Sequence, residues 1–317
     1  MHSRTAVIDR DRVAGCLLGL ALGDALGAPY EGGPIERLLW RMIGRTSHGE
    51  MRWTDDTQMT LDVTESLIAQ GQIDQDDLAR RFAASYRWSR GYGAGAARLL
   101  RRIRRGQPWR SANRAIFANG SYGNGAAMRS AVVGFYAAHQ PTEFTARVHQ
   151  VAEITHAHPL ALEGSLVVAL AASRVALGAS NEAILAALRE QVQLAPFRAR
   201  LEIAQQWLER GAVPSAPEIR SALGNRVTAA ESCITALYLA LAYRERPFLD
   251  MQQQAIAVGG DVDTIGAIAG SLWGAARGAA ALPETSLARL EACSQIRAAA
   301  DQLHKLLAAQ YDSKGAT

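Results

Sequence analysis

Two short acidic segments hold the residues best suited to chemistry: Trp53-Thr54-Asp55-Asp56-Thr57, and far downstream Gly259-Gly260-Asp261-Val262-Asp263-Thr264. Their carboxylates and threonine hydroxyls are hard oxygen donors of the kind Mg²⁺ or Mn²⁺ takes, and carboxylates two residues apart can bridge a pair of ions. Each segment also has a plainer reading. Asp55 and Asp56 precede a helix-forming stretch, where a cap and a ligand pair are equally compatible with the residue types. Asp261 can cap the last helix, but a second aspartate and a threonine exceed what capping needs, so a ligand role is favoured there. A third segment, Gly120-Ser121-Tyr122-Gly123-Asn124-Gly125-Ala126-Ala127-Met128-Arg129, has the flexible positions of a phosphate or ribose cradle, although a generic loop before a helix reads the same way. A fourth, Thr155-His156-Ala157-His158-Pro159, lacks the further ligands of a zinc site.

The elements that must position these residues read almost entirely as helix. Ala, Leu, Arg, Glu and Gln dominate, and apolar residues recur at three-to-four spacing rather than alternating. Helix starts are marked by Asp74 with Asp77, Ser215 with Glu218, and Thr228 with Glu231. Glycine recurs every fourth residue at Gly15, Gly19, Gly23 and Gly27, and again at Gly266, Gly270, Gly274 and Gly278. Interior helical glycine costs about 1 kcal/mol relative to alanine, so two stripes call for close backbone approach. They predict a central helix pair. Packed together, these helices gather Asp24 and Glu31 from the first with Asp261 and Asp263 from the last.

Composition bounds the remaining possibilities. The 317 residues contain no linker or low-complexity tract, favouring one large domain over 1–317, and a net charge of +4 implies no obligatory nucleic-acid binding. Cys16, Cys233 and Cys293 stand singly and read as reduced core residues. The start, Met1-His2-Ser3-Arg4-Thr5, and the short apolar run 13–22 give no membrane anchor, so a soluble cytoplasmic protein is expected. Arg98, Arg101, Arg102, Arg104 and Arg105 read as a solvated helix face, with Trp88 and Tyr92 packed nearby.

In order, these segments resemble the ADP-ribosylglycohydrolase family. The likeness runs from Gly15-Cys16-Leu17-Leu18-Gly19-Leu20-Ala21-Leu22-Gly23-Asp24-Ala25-Leu26-Gly27 and Glu31, through Thr54-Asp55-Asp56-Thr57, Gly123-Asn124-Gly125 with Met128-Arg129, and Thr155-His156, to Gly259-Gly260-Asp261-Val262-Asp263-Thr264-Ile265-Gly266. Val262 departs from a position often Thr in the family. The resemblance implies an all-α, single large orthogonal multi-helix bundle with a dinuclear metal cleft. It places two Mg²⁺ (or Mn²⁺) ions there, one held by Thr54, Asp55, Asp56 and Asp263, the other by Asp261, Asp263 and Thr264. It gives Glu31 general acid/base work, with the division of roles between Glu31 and aspartates such as Asp55 and Asp56 left open. It lays the substrate along Gly120, Ser121, Gly123 and Asn124, with Tyr122 on adenine and His156 near the diphosphate or distal ribose. His156 as a cap of the following helix is the plainer alternative.

The implied activity is release of ADP-ribose from a modified acceptor, arginine N-linked or serine O-linked. The loop Gly120-Ser121-Tyr122-Gly123-Asn124 most resembles members acting on O-linked ADP-ribose. A non-catalytic ADP-ribose reader and a crystallin-like structural relative are the alternatives.

Overall fold

Glycine at every fourth position leaves a helix with a flat strip of bare backbone, and two such strips meet at the centre of this protein. The computed structural model describes residues 7–211 and 213–315. Met1 to Thr5 and the extreme ends of the expected 1–317 domain lie outside them.

The first helix, Arg10–Gly27, runs antiparallel to Val262–Arg277. A Cβ on Gly15 would stand 2.2 Å from the Gly274 carbonyl oxygen, one on Gly19 2.3 Å from that of Gly270, and one on Gly23 2.1 Å from that of Gly266. The stripes therefore interlock in register, as their spacing predicts. Both helices are buried nearly all round.

Around this pair pack the helices Asp55–Gln70, Pro159–Ala176, Ala229–Ala242 and Cys293–Gly315. One hydrophobic cluster includes residues from Ile8 to Leu307. The architecture is all-helical: 73% of the protein is helix, and the described residues contain isolated bridges but no sheet.

The capping signals are realised unevenly. Asp74 accepts from the amides of Asp76 and Asp77, and Ser215 with Glu218 closes a capping box. Thr228 begins its helix without a side-chain cap bond, and Glu231 instead approaches Arg200.

Two helical stretches, Arg10–Tyr30 and Pro159–Ala176, are long and apolar enough to cross a membrane, so the first extends well beyond the run read as too short. In each, 78% of the apolar window is buried against the rest of the chain. Cys16 and Cys233 are buried free thiols, while Cys293 is only partly buried. The arginines of helix Ala94–Arg104 face solvent as expected, Arg102 partly, and Tyr92 is buried. Trp88 differs from its expected packing: it sits in a three-residue 3-10 turn and is 71% exposed.

Candidate active site

An acidic cleft forms where the glycine helices end. Glu31 follows a short 3-10 turn, Ala28–Tyr30, that continues the first helix. Asp261 and Asp263 open the partner helix, and Gly260 lets that turn form: at φ +82°, a Cβ there would lie 2.0 Å from the Asn225 carbonyl oxygen. Carboxylate oxygens of Glu31, Asp261 and Asp263 come within 4.8 Å of one another.

The second acidic segment is held from below by Asp24. This fully buried carboxylate accepts from the amide of Thr54 (2.9 Å), the amide of Thr57 (3.1 Å) and the Thr57 hydroxyl (2.5 Å). Thr54 in turn accepts from the amide of Asp56. Asp24 and Thr54 thereby satisfy the start of helix Asp55–Gln70, releasing Asp55 and Asp56 from capping. That resolves the ambiguity the residue types left open. Trp53 is clamped from the other side, its indole bonded to the Glu291 carbonyl and its ring covered by Arg90 at 3.6 Å.

Among the described residues no basic side chain forms an ion pair with these acids; buried Arg129 feels the Asp55 charge only from a distance. Burial first, then Asp24 and Glu31, pushes Asp55 well above the ordinary carboxylate range; burial, then Asp24 and Asp55, does the same to Asp56. Asp263 is raised likewise by burial, Glu31 and Asp56. Burial and Glu31 lift Asp261 to about 7 despite a hydrogen bond from Asn124. Asp56 Oδ2 is buried with no hydrogen-bond partner, and a buried carboxylate oxygen without a partner is costly.

The cleft is lined by Glu31, Asp55, Asp56, Asp261, Asp263 and Thr264 at its acidic end. Ser121, Gly123, Asn124 and His156 also line it, and Met59, Leu99, Phe117, Met128 and Val227 supply apolar walls. Most of the predicted residues thus converge, but three do not line it. Thr54 is buried behind as the N-cap. Gly120 takes a left-handed turn at φ +78°, packed against Ala157 and His158. Tyr122 is 54% exposed, edge-on to His158.

Asn124 lines the cleft and also braces the acids. Its side-chain amide donates to Asp261 and to Ser232 (2.9 Å). The helix-cap role considered for His156 belongs to His158, which accepts from the Leu160 amide at 3.1 Å. Sequence reasoning gathered Asp24 with the other acids but did not show it as the support of Thr54 and Thr57, and it gave no role to Ser232 or the apolar wall. Asp24 had a legible signal, an aspartate inside an otherwise apolar glycine-striped helix; the wall, assembled from separate helices and loops, had none.

This geometry can be set beside known proteins. The profile of the ADP-ribosylglycohydrolase family matches residues 5–313. The chain belongs to that family. Among curated relatives, ADP-ribosylhydrolase ARH3 of Mus musculus is 30% identical, covering 93% of this chain and 91% of its own length. The Homo sapiens ADP-ribosylhydrolase ARH3 is also 30% identical, covering 93% of each. An uncharacterized Escherichia coli protein, YegU, is 32% identical over 90% of this chain and 93% of its own length. A solved structure titled ADP-ribosylglycohydrolase-related protein complex superposes with a TM-score of 0.69 at 30% identity, covering 94% of this chain and 98% of that one. Membership in this family supports a hydrolase.

Proposed function

We propose that the chain is a metal-dependent glycohydrolase that cleaves the bond between ADP-ribose and a modified acceptor, with a serine O-linkage as the preferred form. One observation carries the reading: a cluster of buried and half-buried carboxylates, with no ion-pair partner among the described residues, sits in a cleft with a glycine-rich wall. Such a cluster is stable in its ionised form only with cations beside it. The orphaned Asp56 Oδ2 fits that requirement. Asp55, Asp56 and Asp263 would hold one Mg²⁺ or Mn²⁺, and Asp261, Asp263 and Thr264 the second, with Thr54 supporting the first through its cap on Asp56.

Bound ions would supply fixed positive charge that orients ribose hydroxyls and polarises a water. The remaining work falls to the chain. Glu31, partly exposed and at the rim of the buried aspartates, is placed to take a proton from the attacking water or give one to the leaving oxygen. A metal-bound carboxylate is a poor base, which favours Glu31 over the aspartates for that role. Asn124 fixes the rotamer of Asp261, and the apolar wall around Leu99, Phe117 and Met128 offers a dry surface for a flat base. The acceptor would be an ADP-ribosylated protein or another ADP-ribosylated molecule. The unpaired thiols Cys16 and Cys233 favour a cytoplasmic setting.

The test is ADP-ribose release from matched serine-linked and arginine-linked peptides with Mg²⁺, with Mn²⁺ and with chelator. Metal-dependent release from the serine-linked peptide is expected. Release that persists in chelator refutes the metal assignment, and release from the arginine-linked peptide alone refutes the linkage.

A further inference from the structure

Behind the glycine loop lies a polar chain that the chemistry above does not use. Arg129 is 0% exposed, stacked 4.8 Å over the Phe82 ring, and donates to the Gly125 carbonyl, to the Val151 carbonyl (3.2 Å) and to the Thr155 hydroxyl (2.7 Å). The same hydroxyl meets His156 Nδ1 at 2.7 Å. Thr155 is itself buried.

Proton accounting fixes the direction of this chain. A guanidinium only donates, so Thr155 Oγ1 receives a hydrogen from Arg129. The threonine's own hydrogen then needs an acceptor, and among the described residues His156 Nδ1 is the one within reach. Nδ1 accepts only when it carries no proton, which places the ring hydrogen of a neutral imidazole on Nε2. Burial and the Arg129 charge push His156 down to about 3, so the ring is neutral at working pH.

The Nε2 edge lies on the cleft side. Cβ atoms built on Gly125 and Gly123 would stand 3.0 and 3.5 Å from Nε2, and both glycines line the cleft. Among the described residues no hydrogen bond reaches Nε2.

We infer that Arg129 and Thr155 are positioning residues that lock His156 in the Nε2–H tautomer, so that it presents one neutral hydrogen-bond donor to an acceptor oxygen of the bound ligand. The lock follows from the hydrogen bonds alone; only the identity of the ligand, ADP-ribose, rests on the function proposed above. A neutral donor on a fixed ring costs no reorganisation when the ligand arrives.

The test is long-range ¹H–¹⁵N correlation of the imidazoles in the full-length, ¹⁵N-histidine-labelled, Mg²⁺-loaded protein, with the His156→Gln spectrum assigning one of the seven histidines. Wild type is expected to show His156 as the pure Nε2–H tautomer. Thr155→Val, which keeps the shape and leaves Arg129 its two carbonyl acceptors, is expected to show mixed tautomers, and Thr155→Ser to restore the wild-type pattern. Titration with free ADP-ribose should be about tenfold weaker in Thr155→Val and within about threefold of wild type in Thr155→Ser, as for one lost hydrogen bond. An Nδ1–H or mixed signal in wild type overturns the lock, whether or not the variants fold. So does a Thr155→Val protein with unchanged tautomer and unchanged affinity. A wild-type protein that shows the pure tautomer but binds no ADP-ribose supports the lock and overturns the ligand reading instead.

Discussion

Gly270→Ala should destabilise this protein, although the same exchange in an ordinary helix stabilises it. Alanine gains about 1 kcal/mol of helix propensity over glycine. Here the new Cβ would sit 2.1 Å from the Gly19 carbonyl oxygen and 2.9 Å from its carbon. Restoring an ordinary 3.4 Å contact moves the two backbones apart by about 1.3 Å. Neither contact is a side chain that can rotate away, so the cost falls at the upper end of overpacking, about 3 kcal/mol. The net loss is about 2 kcal/mol, or roughly 3 °C in Tm for a chain of this size. The separation also displaces Asp261 and Asp263 from Asp24 and Glu31, and a shift of that order costs about 100-fold in turnover. Calorimetry on Gly270→Ala and on Gly93→Ala, whose Cβ meets nothing within 4 Å, isolates the effect. A Gly270→Ala protein that melts at or above wild type would refute the backbone-contact account of the stripes.

Three further outcomes are expected. Asp24→Asn should weaken Mn²⁺ binding by about 10- to 100-fold in calorimetric titration, because Asp24 orients the segment bearing Asp55 and Asp56; unchanged affinity would remove Asp24 from the support of the site. Glu31→Ala should slow turnover by about 10²–10⁴-fold, and Asp263→Ala should remove it more completely because both proposed ions share that ligand; wild-type turnover by Asp263→Ala would end the two-ion assignment. Asp261 titrates at about 7 in the folded chain against an ordinary 3.8, so the metal-free fold holds a proton the unfolded chain has lost, and its stability falls as pH rises through that window. His156, pushed down from 6.5, works in the opposite sense at lower pH, so the increment in Tm produced by fixed Mg²⁺ is the quantity to follow. That increment should grow from pH 5.5 to pH 8, and one that shrinks would contradict ionised aspartates as the ligands.

The central helix pair was legible because its signal is periodic and specific. Four glycines at fixed spacing in each of two helices admit few explanations, and the antiparallel register follows from placing the acids together. The acidic residues themselves were legible as types, but not the division of labour among them. Nothing in Thr54-Asp55-Asp56-Thr57 tells which side chain caps and which is free, because the answer lies in Asp24, on another helix. The same holds for Thr155-His156-Ala157-His158: two histidines two residues apart are equivalent on paper, and only the start of helix Pro159–Ala176 makes His158 the cap and His156 the cleft residue. The resemblance places Asn124 along the substrate, and it does line the cleft; its further bond to Asp261 depends on Ser232 in a distant helix, which no local pattern shows.

How the fold tolerates this concentration of acid follows from where the acids sit on their helices. Asp55 and Asp56 occupy the first turn of Asp55–Gln70, and Asp261 with Asp263 the cap and first turn of Val262–Arg277. Each helix start presents partial positive charge worth about 0.3–1 kcal/mol to a nearby anion, up to about 2 kcal/mol where partly buried. That is too little to hold these carboxylates in the ordinary range, and burial keeps them high. A lysine or arginine in the cluster would neutralise them more fully, but its donors would occupy the same lone pairs a cation needs. Helix termini offset part of the repulsion through backbone amides while leaving carboxylate oxygens such as Asp56 Oδ2 open. The glycine stripes serve the same end, since only a backbone-to-backbone contact brings the end of one helix and the start of the other close enough for Glu31, Asp261 and Asp263 to share one point.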